Sequence, residues 1–135
     1  MRSPFKVLIV DDSAVSRRLL ATVLGRDPEL EVVGEARNGG EALVMSERLR
    51  PDVITMDIHM PDMDGFETTR RIMESSPRPI VIVSADYDPH DVARSFNVLE
   101  AGALTVLPKP HGAGSEEFEE HASRLVEVVK LMVHA

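Results

Sequence analysis

The sequence predicts an α/β fold, a doubly wound three-layer sandwich whose helices cover both faces of a five-stranded parallel sheet. Four short runs, at residues 7–10, 53–56, 80–83 and 104–107, are apolar almost throughout, which is typical of parallel strands buried on both faces. A fifth strand is expected at 31–36. Segments of helical periodicity follow each strand, so that strand and helix alternate five times along the chain. Right-handed crossovers then place the helices on both sides of the sheet.

Residues that can cap a helix mark where the helices begin. The capping residues of the first four helices are Ser13, Asn38, Asp64 and Asp88, and these helices are expected to end at about Leu24, Leu49, Glu74 and Ala101. A glutamate follows Asn38 and Asp64 after three residues, the spacing of a capping box. Pro89 suits a first helical turn. The fifth helix is expected to begin near Ser115 and to run almost to the C-terminus.

Length and composition favour one domain spanning residues 1–135. The chain has 135 residues, of which 43% are hydrophobic, enough to build one core. It has no cysteine, which excludes disulfides and thiolate metal sites, and it has no signal-peptide pattern. Its formal charge of -8 opposes direct binding to nucleic acid, because a phosphate backbone would repel it. We therefore expect a soluble, cytoplasmic protein that binds neither nucleic acid nor membranes.

Polar residues follow four of the predicted strands at the point where each strand ends. They are Asp11 and Asp12, Asp57, Ser84 and Lys109. Ligands of doubly wound sheets collect at the carboxyl ends of the strands, so these side chains are expected to converge at one edge of the sheet. Three carboxylates opposed by one lysine would repel one another, and a divalent cation would relieve that repulsion. Oxygen-only ligands favour Mg²⁺ over zinc, and a carboxylate next to Mg²⁺ is suited to phosphoryl transfer.

These residues lie in motifs that resemble a known family. In chain order, the motifs are VLIVDDSAVSRRLL, VVGEARNGGEAL, PDVITMDIHMPDMDG, VIVSAD, EAGA and LPKP. Together, over residues 6–110, they resemble the receiver domain of two-component response regulators. DDSAVSRRLL, PDVITMD and PKP are most similar to the receivers of chemotaxis protein-glutamate methylesterases. The resemblance implies a flavodoxin-like three-layer sandwich with strand order 2-1-3-4-5.

The resemblance also implies the roles of the site residues. Asp57 is expected to accept the phosphoryl group. Asp11 and Asp12 are expected to hold Mg²⁺, together with Asp57 and the backbone carbonyl of His59. Ser84 would hydrogen-bond the phosphoryl group and Lys109 would pair with it.

Four further residues of the motif region bear on the switch. The Lys109–Pro110 bond corresponds to the cis peptide of the family. By the same resemblance, His59 and Asp86 occupy positions that in this family flank the path of the water that removes the phosphoryl group, and we expect the two to pair and block it. Val106 stands where most receivers have Tyr or Phe, so that part of the family's switch is expected to be absent or altered.

The function that the resemblance implies is a phosphorylation-dependent signalling switch. The phosphoryl group would come from a sensor histidine kinase, a phosphotransfer protein or a small phosphodonor. Downstream partners would read the face formed by the fourth helix, the fifth strand and the fifth helix. No output domain follows before Ala135, so the chain is either a single-domain regulator or a receiver cut from a longer protein.

Val128 and Leu131 lie outside the apolar stripe of the fifth helix. They are either isolated apolar residues on the surface or part of a homodimer or domain contact.

Other interpretations of the same residues stay open at this point. Asp11–Asp12 alone could be a helix cap with a first-turn acid. Residues 62–65, Asp-Met-Asp-Gly, match the core motif of haloacid-dehalogenase-type phosphatases, although Met60 and Pro61 separate them from the strand. A small Mg²⁺-dependent phosphatase and a phosphorylation-independent scaffold are therefore the competing functions. The five histidines show no metal-ligand spacing, and the glycines at 112 and 114 indicate a flexible connector.

Overall fold

The computed structural model describes residues 3–85 and 92–134 and contains five strands and five helices in strict alternation. The strands are β1 Phe5–Val10, β2 Leu30–Ala36, β3 Val53–Met56, β4 Ile80–Ser84 and β5 Thr105–Pro108. The helices are α1 Ala14–Gly25, α2 Gly39–Leu49, α3 Gly65–Ser75, α4 Val92–Ala101 and α5 Glu116–Met132. All five strands and all five helices fall where the sequence pattern predicts them.

The sheet is parallel throughout, with strand order β2-β1-β3-β4-β5. This is the flavodoxin-like order that the resemblance implies. Two apolar clusters flank the sheet. One joins alternate strand residues to α1 and α5, and the other joins the remaining strand residues to α2, α3 and α4. Because β1, β3 and β4 are buried on both faces, their apolar runs are continuous, which is why the sequence revealed them.

The helix starts confirm the predicted capping residues within the described part of the chain. Ser13, Asn38, Asp64 and Ser115 are the N-cap residues of α1, α2, α3 and α5, and each side chain accepts a hydrogen bond from the backbone N–H three residues later. The capping boxes are modified. The Glu41 carboxylate accepts from the backbone N–H of Arg37 at 3.0 Å, and Glu67 pairs with Arg71 at 3.1 Å. The predicted cap at Asp88–Pro89 lies outside the described residues.

Helix α5 buries a wider stripe than its periodicity predicts. Phe118, Ala122, Leu125 and Val129 are buried, as expected. Val128, predicted to lie outside the stripe, is half-buried and packs against the same cluster, because the apolar face of a core helix is often broader than 100°. Leu131 does lie outside it and is 63% exposed.

No helix in the described ranges is long and apolar enough to cross a membrane.

The strand register aligns the ends of neighbouring strands at one edge of the sheet. Val10 is opposite Met56 in the β1–β3 pair, and Asp57 donates its backbone N–H to the carbonyl of Val10 at 2.9 Å. In the β4–β5 pair, Lys109 donates its backbone N–H to the carbonyl of Ser84 at 3.1 Å. The residues that follow β1, β3 and β5 therefore start from the same edge.

Candidate phosphoacceptor and metal site

Three carboxylates meet at the carboxyl edge of the sheet. One carboxylate oxygen from each of Asp11, Asp12 and Asp57 lies within 4.8 Å of the other two. Asp11 and Asp57 are buried, whereas Asp12 is exposed. Within the described ranges this is the group of acidic or histidine side chains whose spacing suits a metal ion. The structure thus brings these three carboxylates together, as expected from the strand ends.

The Asp11 carboxylate is completely buried and is held from three directions. Its Oδ1 accepts the backbone N–H of Ser13 at 2.9 Å. Its Oδ2 accepts the hydroxyl of Ser16 at 2.5 Å and lies 2.7 Å from Nζ of Lys109. The guanidinium of Arg17 donates to the backbone carbonyl of Asp11 at 2.8 Å. The first turn of α1 therefore fixes both the main chain and the side chain of this residue.

Asp57 has the environment of a carboxyl that resists ionisation. Its side chain is almost entirely buried; Oδ1 accepts the backbone N–H of Ile58 at 3.0 Å and Oδ2 lies 3.5 Å from Nζ of Lys109. Burial and, to a smaller extent, the neighbouring charge of Asp11 together raise the pKa of Asp57 to about 6, against the opposing effect of Lys109. Three crowded carboxylates with one neighbouring lysine thus leave an excess of negative charge at this edge of the sheet.

This donor set fits a hard divalent cation. The candidate ligands are carboxylate oxygens, and the exposed Asp12 leaves one side of the group open to water or to a phosphate oxygen. The raised pKa of Asp57 is the second observation in favour, because a divalent cation would favour the ionised form. The residues present could therefore hold Mg²⁺.

The Lys109–Pro110 peptide bond is trans, so the predicted cis bond is wrong. The cis bond was expected to turn the chain so that the lysine reaches the acidic group. The trans chain achieves this because the backbone of Lys109 is tied to the carbonyl of Ser84, and the side chain from that position spans the distance to Asp11.

The remaining predicted site residues are placed as follows. Ser84 is fully buried at the end of β4, beside β5 and the backbone of Lys109. His59 is exposed in the loop after β3. Val106 is half-buried on β5 and packs against the cluster that faces α2, α3 and α4. Asp86 lies outside the described residues, so its predicted pairing with His59 stays a prediction.

The loop from Asp57 to α3 explains residues 62–65 and contains a feature that sequence reasoning missed. Asp62 is exposed with a φ of 68°, and Asp64 is the N-cap of α3, as expected for a loop leading into a helix. Gly65 packs directly on the backbone of Asp57, because a Cβ there would lie 2.1 Å from the carbonyl oxygen of Asp57. The sequence signal for this contact is the Asp-Gly pair at the helix start, which by itself predicts a cap or a phosphatase motif and not a packing contact.

A parallel sheet of this order, with an acidic cluster and a lysine at its carboxyl edge, defines a receiver-like class of protein. The sequence model of the response regulator receiver domain matches residues 7–119. The chain belongs to this family.

Individual relatives agree with this assignment. The protein-glutamate methylesterase/protein-glutamine glutaminase 4 of Geobacter metallireducens is 53% identical over 127 residues, which is 94% of this chain and 37% of that protein. The solved response regulator domain of Thermotoga maritima CheB is 35% identical with a TM-score of 0.87, and the match covers 98% of each chain. A chain in the solved structure of the P1 domain of CheA3 in complex with CheY6 from R. sphaeroides is 30% identical to this chain, with a TM-score of 0.81. The match covers 99% of this chain and 100% of that chain. The chain thus spans little more than a third of the methylesterase relative's length.

Proposed function

We propose that the chain is a phosphorylation-dependent switch that accepts a phosphoryl group on Asp57 in a reaction that requires Mg²⁺. The observation that supports this most directly is the environment of Asp57. It is a buried carboxyl with a raised pKa, and its charged neighbours are Asp11, Asp12 and Lys109. No ordinary structural role calls for three carboxylates within 4.8 Å of one another at the end of a buried strand.

Each residue of the site has a place in this reaction. The ionised Asp57 oxygen forms the new bond to phosphorus, while the bond from phosphorus to the donor's histidine nitrogen breaks and that nitrogen keeps the electron pair. Asp11, Asp12 and Asp57, with the carbonyl of His59, would hold Mg²⁺, which supplies positive charge to the phosphate oxygens. Lys109, whose Nζ lies 3.5 Å from Asp57 Oδ2, and Ser84, at the end of the neighbouring strand β4, would bind the phosphoryl group once it is attached.

The phosphoryl donor and the downstream partner follow from the same assignment. A sensor histidine kinase or a phosphotransfer protein would present its phosphohistidine at the carboxyl edge of the sheet. An open groove of about 570 Å³ lies beside Lys109, lined in part by Val15, Pro110 and His111, and gives a donor protein room to approach.

The added charge of the phosphoryl group would change the conformation of the loops after β3 and β4 and of the face formed by α4, β5 and α5. That face would contact a partner protein or an output domain.

The relatives suggest which pathway the switch serves. The full-length relative is a protein-glutamate methylesterase/protein-glutamine glutaminase, and the solved CheB domain matches over nearly its whole length. We infer that the chain acts in chemotaxis and that, where it is joined to a methylesterase domain, phosphorylation of Asp57 controls that domain. The chain would then have no enzymatic activity of its own beyond phosphotransfer to itself and loss of the phosphoryl group.

Two competing functions make different predictions. A phosphatase would turn over repeatedly and needs a substrate pocket with a cap, whereas the loop at residues 62–65, which matched a phosphatase motif, leads directly into α3. A phosphorylation-independent scaffold would not react at all, and the complete set of Asp11, Asp12, Asp57, Ser84 and Lys109 argues against it.

Intact mass spectrometry after incubation with acetyl phosphate and Mg²⁺ separates the three functions. The switch predicts one labile phosphoryl adduct that requires Mg²⁺ and is absent from Asp57→Asn, which keeps the volume of the side chain but removes the nucleophile. Asp52→Asn, at an exposed carboxylate before β3, is the matched control and should form the adduct. Multiple turnover would support the phosphatase, and no adduct would support the scaffold. A stable adduct on Asp57→Asn would place the acceptor elsewhere.

A further inference from the structure

The Ser16 hydroxyl contacts the Asp11 carboxylate, although Ser16 is neither a candidate metal ligand nor a phosphoryl-binding residue. Its Oγ lies 2.5 Å from Oδ2 of Asp11, as close as a charge-assisted hydrogen bond between hydroxyl and carboxylate becomes. Ser16 is in the first turn of α1, five residues after Asp11, and is half-buried. The same oxygen of Asp11 is the one that faces Nζ of Lys109 at 2.7 Å. One carboxylate oxygen therefore serves two donors, a neutral hydroxyl and an ammonium group.

The helix geometry makes this contact independent of the α1 cap. The cap uses the backbone N–H of Ser16, which donates to Oγ of Ser13 at 3.2 Å. The hydroxyl of Ser16 is left free to turn toward the sheet. Removal of the hydroxyl therefore leaves the cap bond in place, and alanine is at least as good a helix former as serine.

We propose that Ser16 is a positioning residue for the metal site, which holds the buried Asp11 carboxylate in the orientation that Mg²⁺ requires and shares its Oδ2 with Lys109. This inference rests on the proposed function. The backbone N–H of Ser13 holds Oδ1, the hydroxyl of Ser16 holds Oδ2, and together they fix the rotation of the carboxylate group. Without the hydroxyl, Oδ2 would keep Lys109 as its donor. The lysine would then be drawn toward Asp11 and away from Asp57, from which it is already 3.5 Å distant.

The Ser16→Ala and Ser16→Thr variants test this inference, because threonine keeps the hydroxyl and alanine does not. Loss of a group that orients a metal ligand lowers metal affinity by about 10-fold to 100-fold. We expect Ser16→Ala to bind Mg²⁺ about 10-fold more weakly than wild type and Ser16→Thr to bind within about twofold of it. Ser115→Ala removes the N-cap of α5, where Oγ accepts from Phe118, and controls for general loss of helix stability. Titration with Mg²⁺ followed by NMR gives the affinities, and thermal unfolding gives the stabilities.

The side-chain resonance of Lys109 in the metal-free protein is the second measurement, and it does not depend on Mg²⁺ or on phosphorylation. We expect the Nζ and Cε signals of Lys109 to shift in Ser16→Ala and to return in Ser16→Thr. Equal Mg²⁺ affinity in Ser16→Ala and wild type, or equal impairment of both Ser16 variants, would overturn the inference. A wild-type protein that binds no Mg²⁺ would instead refute the proposed function, and the Lys109 signals would still decide the role of Ser16.

Discussion

Nζ of Lys109 lies 2.7 Å from Oδ2 of Asp11 and 3.5 Å from Oδ2 of Asp57, so the lysine is paired with the candidate metal ligand more closely than with the candidate phosphoacceptor. The three side chains are brought together because β1, β3 and β5 end at one edge of the sheet. In this arrangement one ammonium group is shared between two buried carboxylates. It neutralises part of the charge that Mg²⁺ would neutralise more fully.

Replacement of Lys109 by alanine should leave Mg²⁺ binding at least as tight as in wild type. The lysine is not a ligand, and its removal takes away a cation that competes for the same carboxylates. The response to a phosphoryl mimic such as beryllofluoride should weaken, because the mimic loses its ammonium partner. Lys130→Ala is the matched control, since Lys130 lies on α5, outside the site, and pairs with Asp27 and Glu29 of the loop between α1 and β2. Weaker Mg²⁺ binding in Lys109→Ala would contradict the roles proposed here.

The stability of the metal-free protein should depend on the ionisation of Asp57. The folded state raises the pKa of Asp57 from 3.8 to about 6, mainly by burial, so the folded protein binds this proton more tightly than the unfolded chain does. The free energy of unfolding should therefore fall by ~3 kcal/mol as pH rises through this interval, at 1.36 kcal/mol per pKa unit. Below pH 3.8 the carboxyl is protonated in both the folded and the unfolded state. Above about pH 6 it is ionised in both states, and the full loss of stability is reached.

Urea unfolding between pH 3.5 and 7.5 in the presence of a chelator measures this dependence. Asp57→Asn, which has no proton to release, should lack this component of the fall and should be more stable than wild type at neutral pH. Mg²⁺ should restore stability to the wild type at neutral pH, because it binds the ionised carboxylates of the folded state. A wild-type curve that is parallel to that of Asp57→Asn over this range would refute the raised pKa.

Much of this fold and part of this site could be predicted from the sequence, for a physical reason. Parallel strands buried on both faces are apolar at almost every position, so β1, β3 and β4 contain nearly continuous apolar runs, and the ends of these runs locate Asp11, Asp57 and Ser84. The order of the strands and the chemical roles came from the resemblance of the motifs. Helix starts were predictable because a capping side chain and its N–H partner are neighbours in sequence.

Other features depend on contacts that the sequence pattern does not encode. Asp11 and Asp12 are adjacent and chemically identical, yet one is buried and the other exposed, because the first turn of α1 folds over the first of them. The hydrogen bond from Ser16 and the contact of Gly65 with the Asp57 carbonyl depend on where a helix packs against a strand end. The expected cis bond at Pro110 came from the family alone, and the position of the Lys109 backbone beside β4 removes the need for it.

Thr55 carries a buried hydroxyl whose removal should stabilise the protein. The residue is 1% exposed on β3, and its Oγ1 has no hydrogen-bond partner among the residues that the structure describes. Because burial of an unpaired hydroxyl is costly and valine has nearly the same shape, Thr55→Val should raise the free energy of unfolding by about 1 kcal/mol. Thr68→Val is the matched control. Thr68 is equally buried but donates to the carbonyl of Asp64 at 2.8 Å, so its replacement should lower stability by about 1 kcal/mol.

Urea unfolding of both threonine variants in Mg²⁺ distinguishes the two cases. Equal destabilisation of Thr55→Val and Thr68→Val would mean that the Thr55 hydroxyl has a partner in solution, such as a buried water.

Leu131 is an exposed apolar residue of α5 that does not require a partner to explain it. A stable dimer buries about 800 Å² per subunit, and single exposed apolar side chains are common on monomers. We therefore expect wild type and Leu131→Glu to sediment identically, with and without beryllofluoride. Val128 is left unchanged in this test because it packs against the core. A larger species in wild type that disappears in Leu131→Glu would identify a homodimer contact.

Val106 should contribute little to the transmission of the phosphorylation signal. It is half-buried on β5, opposite Ile82 of β4, and packs into the cluster that faces α2, α3 and α4. A β-branched side chain has a restricted χ1, and valine is too short to move between a buried and an exposed position as an aromatic ring does. The signal should therefore pass from Ser84 into the chain after β4 and into α4. Chemical-shift changes on addition of beryllofluoride should be concentrated there.

Two substitutions, Val106→Ala and Ser84→Ala, test whether the signal passes through Ser84 and not through Val106. Val106→Ala should keep the pattern of shift changes, because the side chain is a packing element, and should mainly lower stability, by roughly 1–2 kcal/mol for the two methyl groups removed from a partly buried site. Ser84→Ala should abolish most of the pattern, because Ser84 is fully buried beside the backbone of Lys109 and its hydroxyl would be the group drawn to the phosphoryl mimic. A strong response on β5 that is lost in Val106→Ala and kept in Ser84→Ala would show that the signal travels through the valine after all.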